Sequence, residues 1–205
     1  MSANLGLGTL DELKAMLLNA SLLASATYDT PISAIGKGVA QRMEKFCNRK
    51  FGWMAGDIFY CTSNREHVIL PRYPVVNVSL IEQRGAETDT WTTLTDIVQS
   101  SDYNAGLIEF LAMQGPYYSR LRLTYDGGYW FNDGTSQPAG AATRPDDLLL
   151  AWFLQCEYVW RSRDKLGISL QDDPEKPLVN LRMLDFMPAV KEILRAYVRY
   201  SFVTG

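Results

Sequence analysis

Residues 43–81 read MEKFCNRKFGWMAGDIFYCTSNREHVILPRYPVVNVSLI, and the repeat of apolar side chains changes within them. Up to Lys50 the spacing is helical: Ile32, Ile35, Val39, Met43 and Phe46 trace one stripe, with Lys50 at its edge. From Asp57 the spacing shortens. Asp57–Cys61 and His67–Leu70 are short apolar runs around a polar Thr62–Glu66 loop, the pattern of a hairpin. Pro71 and Pro74 bracket a break, and Val75–Ile81 then alternates, with Val76, Val78 and Leu80 on one face. A chain that switches from helical to strand period belongs to the α+β class.

The strand pattern runs on through Trp91–Leu94, Leu107–Phe110 and Arg120–Tyr125, with a turn at Arg84-Gly85-Ala86. Asp126-Gly127-Gly128 carries the dipeptides of a tight turn. Helices flank this block. Thr9 and Glu12 form a T-x-x-E capping box ahead of Leu10, Leu13, Leu17, Ala20 and Ala24, a helix expected to end near Ser25–Tyr28. Asp29 or Thr30 caps the second helix, with Pro31 in its first turn. Gly36 and Gly38 weaken it and leave room for another helix. Pro145, Asp146 and Asp147 open a third helix with an apolar face of Leu149, Trp152, Phe153, Cys156, Val159 and Trp160, ending by Gly167. Asp185 caps a last one bearing Phe186, Val190, Ile193, Leu194, Tyr197 and Val198. The expected architecture is therefore a bundle of about four helices with an inserted antiparallel β-sheet or small barrel: N-terminal helices over 1–56, the β-rich insertion over 57–130, a Gly/Ala/Thr-rich loop or arm over 131–144, and C-terminal helices over 145–205.

Composition narrows the function. Apolar residues make up 47% of the 205, enough for a real core, and aromatics 12%, a surplus that suits cores and protein interfaces alike. A net charge of −3 argues against wrapping nucleic acid tightly. Between Asp57 and Asp126 there are nine acids and five bases. Cys47, Cys61 and Cys156 are isolated and odd in number, which reads as reduced thiols. No basic leader with an apolar run opens the chain, and no stretch has the length of a membrane span, so no membrane partner is expected. Asn19-Ala-Ser21 and Asn77-Val-Ser79 match the glycosylation pattern only by spacing.

Catalytic chemistry finds no foothold. His67 is the sole histidine, so no HExxH is possible, and neither GxSxG nor GxxxxGK[ST] occurs. Gly127-Gly128 is followed by Tyr129-Trp130-Phe131 and not by a helix start. Asp146-Asp147 reads as a pair of dipole partners, and Asp172-Asp173-x-Glu175 lacks the spacing of a calcium loop. Arg42, Lys45, Arg49 and Lys50 form a modest basic patch, either a solvated face or a contact for a phosphate or acidic partner. No catalytic residue, metal or cofactor is assigned, and the expectation is a protein that works by packing against others.

Five segments, in order, resemble one family. They are Thr9-Leu10-Asp11-Glu12-Leu13-Lys14; Met43 to Phe51, with its Phe46-Cys47-x-Arg49-x-Phe51; Leu70-Pro71-Arg72-Tyr73-Pro74-Val75-Val76-Asn77-Val78; Leu123-Thr124-Tyr125-Asp126-Gly127-Gly128-Tyr129; and Arg144-Pro145-Asp146-Asp147-Leu148, with Leu166-Gly167-Ile168 further on. Together they resemble the head–tail connector, or adaptor, proteins of tailed bacteriophages over Thr9–Ile168. The strand block around Trp91–Leu111 and the arm after Phe131 are more elaborate than in the shortest members. The resemblance implies a virion protein made in the host cytoplasm. It implies a ring of copies of itself, usually twelve, beneath the portal, completing the filled head and docking stopper or tail-terminator proteins. Genomic double-stranded DNA would pass its channel without sequence-specific binding. By the same analogy the C-terminal part meets the portal, through Arg195, Tyr197, Arg199, Tyr200 and Phe202, and Tyr129, Trp130 and Phe131 serve as a ring-contact arm. A stopper or tail-completion protein, an unrelated ligand-binding module and a hydrolase with an unfamiliar site are the competing readings.

Overall fold

Thr9 begins the first helix as its capping box requires. Its hydroxyl oxygen accepts from the Glu12 N–H at 3.2 Å, and Glu12 Oε2 accepts from the Thr9 N–H at 2.8 Å. The computed structural model describes residues 4–18, 23, 25–116, 119–131, 135–168 and 185–199. Helix α1 (Leu10–Leu17) is shorter than its stripe implied, because Leu18 is already extended. Lys14 draws the chain back here: its buried ammonium donates to Ser25 O at 3.0 Å and Asp29 Oδ1 at 2.6 Å. Asp29 is thereby engaged as an ion partner, and α2 (Asp29–Cys47) starts from Tyr28 with no side-chain cap. The helix ends on Asn48 in the left-handed region at φ 50°.

Packing divides the molecule into two units, one helical (Met1–Asn48, Phe131–Ser136, Arg144–Val198) and one of strands (Arg49–Trp130, Gln137–Thr143, Arg199–Gly205). In the helical unit, α3 (Asp146–Ile168) and α4 (Pro188–Arg195) join α1 and α2 around Leu13, Ile32, Val39, Met43, Leu148, Trp152, Cys156, Val190 and Leu194, all buried. The expected close approach occurs at Gly36. Its backbone carbonyl accepts from Trp152 Nε1 at 3.0 Å, and a Cβ there would lie 2.8 Å from Leu5 Cδ1 and 2.9 Å from Leu13 Cδ2. Gly38 faces open space. Two readings are corrected. Phe46 is exposed and not in the stripe, and its ring meets Phe186 edge-on. Asp185 does not cap α4; Met187 does, and its N–H donates to Oε1 of the buried Gln155 on α3 at 3.0 Å.

The β unit holds β1 (Met54–Thr62), β2 (His67–Ile69), β3 (Val75–Arg84), β4 (Thr92–Thr93), β5 (Val98–Asp102), β6 (Leu107–Phe110), β7 (Arg120–Gly127), β8 (Tyr129–Trp130) and β9 (Ala142–Thr143). An antiparallel sheet ordered β1-β7-β3-β4 and another ordered β2-β6-β5 share one core. Cys61, Leu70, Val75, Ile81, Ile108, Phe110, Leu121, Leu123 and Tyr125 fill it. The hairpin expected over Asp57–Leu70 does not form: β1 pairs with β7 and β2 with β6. Ser63 explains the crossing between sheets. It is fully buried, its N–H donates to Ser119 O at 3.1 Å, and its own carbonyl accepts from Gln114 at 2.9 Å. In β3 the register slips between Val78 and Leu80; Ile81, which alternation sets on the face opposite Leu80, enters the core, and Leu80 stays half-buried.

Gly127-Gly128 is not a hairpin turn either. Gly128 (φ +98°) donates its N–H to Pro74 O at 2.8 Å, and a Cβ on it would sit 2.5 Å from Gly52 O. The pair lets three backbone segments converge, after which β8 runs parallel to β9. The segment after it is not all loop: Phe131 and Ala141 are buried, and β9 lies inside the expected arm.

These glycines predict opposite outcomes. Gly38→Ala should raise the urea midpoint, by about 1 kcal/mol of stability. Gly36→Val should lower it by about 2 kcal/mol, through overpacking against Leu5, Leu13 and Trp152. Gly128→Ala should destabilise by more than about 1 kcal/mol, since both its φ and its space exclude a Cβ.

Candidate interaction surface

Alternation along β1 and β7 generates the surface. Leu121, Leu123 and Tyr125 point into the core, which turns Arg120, Arg122 and Thr124 to the other face of the sheet. On β1, Ile58 and Tyr60 turn the same way and stay 48% and 56% exposed. Register brings Tyr60 opposite Arg122, and Arg122 opposite Glu82 of β3. Trp91, just before β4, folds over this row. Its ring lies 4.6 Å from the Arg122 guanidinium, 4.8 Å from that of Arg84 and 6.0 Å from the Tyr60 ring. Both cations rest on the electron-rich face of the indole. Glu82 neutralises Arg122 at 2.7 Å. Arg84 gives one N–H to Glu87 O at 2.9 Å, and its Nε is buried with no hydrogen-bond partner among the described residues. Arg120 pairs with no carboxylate among the described residues. Between these groups opens a cleft of about 420 Å³ lined by Tyr60, Arg84, Gly85, Ala86, Glu87, Trp91 and Arg120. Aromatic and arginine side chains, part desolvated and rimmed by charge, are the composition of a protein-binding hot spot.

The charges seen in the sequence scatter. Arg49 does not join Arg42, Lys45 and Lys50 in a patch: it is buried in the β unit, 3.4 Å over the Tyr73 ring, donating to Tyr73 O. Arg42 lies over Phe186 in the helical unit. Asp57 is held by Arg72 Nε at 2.8 Å and accepts from Tyr125 OH at 3.1 Å. Burial and that carboxylate push the Tyr125 phenol up. Asp147 accepts from Tyr197 OH at 2.5 Å, Arg195 pairs with Glu192 at 2.6 Å, and Arg199 donates to Ile69 O at 2.9 Å. Burial lowers the Arg199 pKa. Tyr200 and Phe202 lie outside the described residues, as do Asp172, Asp173 and Glu175. Tyr129 and Trp130 are half-buried, while Phe131 is buried with the Arg144 guanidinium 5.5 Å from its ring. His67 sits in β2 opposite Glu109. Among the described residues no three His, Cys, Asp or Glu come together as metal ligands. Trp91 and its arginines were missed in the sequence; the signal was the pairing of Ile58/Tyr60 with Arg120/Arg122 at period two.

This α+β arrangement is a fold shared with chains of gene transfer agent particles. A chain in the neck of an empty gene transfer agent particle, computed with C6 symmetry, matches it with a TM-score of 0.61 at 14% identity, over 100% of this chain and 97% of that one. A chain in the virion of the native gene transfer agent particle matches with a TM-score of 0.59 at 15% identity, over 96% and 91%. No family model and no curated protein sequence matches the chain. The likeness is therefore one of fold, and it agrees in kind with the resemblance carried by the ordered motifs.

The three cysteines form no disulfide, and all are buried. Burial pushes Cys61 from an ordinary value of 9.0 to about 11 and raises Cys156 in the same direction. The folded state holds these protons more tightly than the unfolded one. Their stabilisation is complete below the ordinary value and is lost as pH rises through the folded pKa. Urea midpoints should therefore fall between about pH 9 and 11, and thiol reagents at pH 8 should leave Cys61 unmodified until the protein unfolds.

Proposed function

We propose that this chain is a structural protein of a virion neck, an adaptor that forms a ring under the portal, completes the DNA-filled head and docks the tail. The observation that carries this reading is the end-to-end match to a neck chain, covering 100% of one and 97% of the other. A ring of twelve obeys six-fold symmetry as a ring of six does, and twelve is the number the motif resemblance favours. Its partners are copies of itself, the portal, stopper or tail-terminator proteins, and double-stranded DNA in transit. The net charge of −3 suits a channel that DNA must slide through, since phosphate neutralisation would hold the DNA back.

The portal-facing end is the C-terminal segment. Tyr197 and Arg199 anchor it through Asp147 and Ile69, leaving Arg195 exposed. Tyr129 and Trp130 remain the accessible part of the ring-contact arm; Trp130 Nε1 has no partner among the described residues. Phe131 serves the helical core instead.

Electron microscopy of the chain mixed with its portal tests the proposal. The expected result is a ring of twelve on the portal's tail-facing end, with a lumen that is not strongly basic. Binding only to the tail side assigns a stopper or tail-completion role in its place, and a chain that binds neither has another function.

A further inference from the structure

Natural sheets guard their edges with Lys, Pro or covering loops, because an unpaired row of N–H and C=O groups recruits other chains. The β unit leaves two edges without Lys or Pro, each with one register slip. β1 pairs with β7 on one side, and no strand among the described residues pairs with the other. Its sequence, MAGDIFYCT, has no Lys, Arg or Pro; the single charge, Asp57, is turned to Arg72. β5, at the end of the three-stranded sheet, is exposed along all of Val98–Asp102 and is equally bare of Lys and Pro.

The exposed large apolar side chains of this unit gather at these same two edges. Met54, Ile58 and Tyr60 lie on β1. Val98, Tyr103, Leu111 (62% exposed) and Met113 (58% exposed) surround β5. Charge divides the same way. Arg84 and Arg120, with no carboxylate ion pair among the described residues, stand on the open face beside Tyr60, Trp91 and Glu87. Residues 95–111 carry Asp96, Asp102 and Glu109 and no base at all. One edge thus offers exposed apolar side chains and two arginines without an ion pair, the other exposed apolar side chains and acids alone.

We infer that the β1 edge of one copy receives the β5 edge of the next. This rests on the ring reading above and names its lateral contact. The occupant is a second copy because each edge lacks what the other supplies, and two unlike patches on one chain make a head-to-tail contact that propagates around a ring, whereas a two-fold dimer buries one patch against itself. Main-chain pairing supplies the register. Ile58 and Tyr60 pack on Val98, Leu111 and Met113, and Arg84 and Arg120 face Asp96 and Asp102.

The test uses the full chain on its portal. Ala55→Lys with Ile58→Lys guards one edge, and Val98→Lys with Leu111→Lys guards the other; all four sites are exposed, so melting curves should match wild type. Either pair should abolish the ring seen with wild-type chain. A chain carrying both Ile58→Cys and Ser101→Cys, treated with a short bis-maleimide on the portal, should give a ladder of multimers, and each single variant should give monomer. Rings formed by the Lys variants at wild-type occupancy overturn this contact and leave the neck reading intact. A dimer from Ile58→Cys alone overturns the head-to-tail order. A wild-type chain that makes no ring on the portal overturns both.

Discussion

The indole of Trp152 against the bare backbone of Gly36 is the contact on which the helical unit depends. A fully buried indole N–H must find an acceptor or forfeit its hydration. It takes the second lone pair of a carbonyl inside α2, which only a residue without a side chain leaves reachable. Leu5 and Leu13 close over the same glycine, so one missing Cβ sets the spacing of α2, α3 and the N-terminal segment together. Gln155, one turn on from Trp152, extends the control to α4: it accepts from Met187 and donates to Asp185 O at 3.3 Å. A single face of α3 thus fixes one neighbour by close packing and another by amide hydrogen bonds.

The β unit solves a different problem, that of placing charge in a thin two-sheet sandwich. Asp57, Arg72 and Tyr125 satisfy one another. Arg49 spreads its charge over Tyr73 and the more distant Phe51 and Tyr129 rings. These groups were counted in the sequence as net charge and as a basic patch, yet they contribute to internal order. What remains outside is sparse and sorted, with arginines around Trp91 and acids around β5. A long-range field from this unit is weak, and its short-range pattern is specific.

Legibility in the sequence followed the range of the interaction. The capping box at Thr9, the α2 stripe and the closeness at Gly36 are decided within a few residues and could be read directly. The Asp57–Leu70 hairpin could not be refuted locally, because what breaks it is Ser63 bonding to Gln114 and Ser119, far along the chain. Gly127-Gly128 looked like a turn because turns and close backbone crossings ask for the same residue; only Gly52 and Pro74 tell them apart. β5 reads Val-Gln-Ser-Ser-Asp and has no apolar alternation, so it was invisible until β6 lay beside it. The Trp91 surface has the same origin: its residues come from four segments that meet only through strand register.

That strand β5 was unreadable bears on what the surface is for. A strand with one paired side and no buried residue contributes little to its own core, and hydrophobic burial within the chain does not account for its sequence. β1 presents the converse case, a run with more exposed apolar area than a solvated edge tolerates. Each is anomalous for an isolated chain, in opposite directions: one strand too polar to be core, flanked by apolar side chains that nothing covers, the other too apolar to be edge. In the proposed ring both anomalies would be resolved, because there the two strands are neighbours across a subunit boundary. On that proposal the constraint on these strands acts between copies, outside what one chain's own core can show.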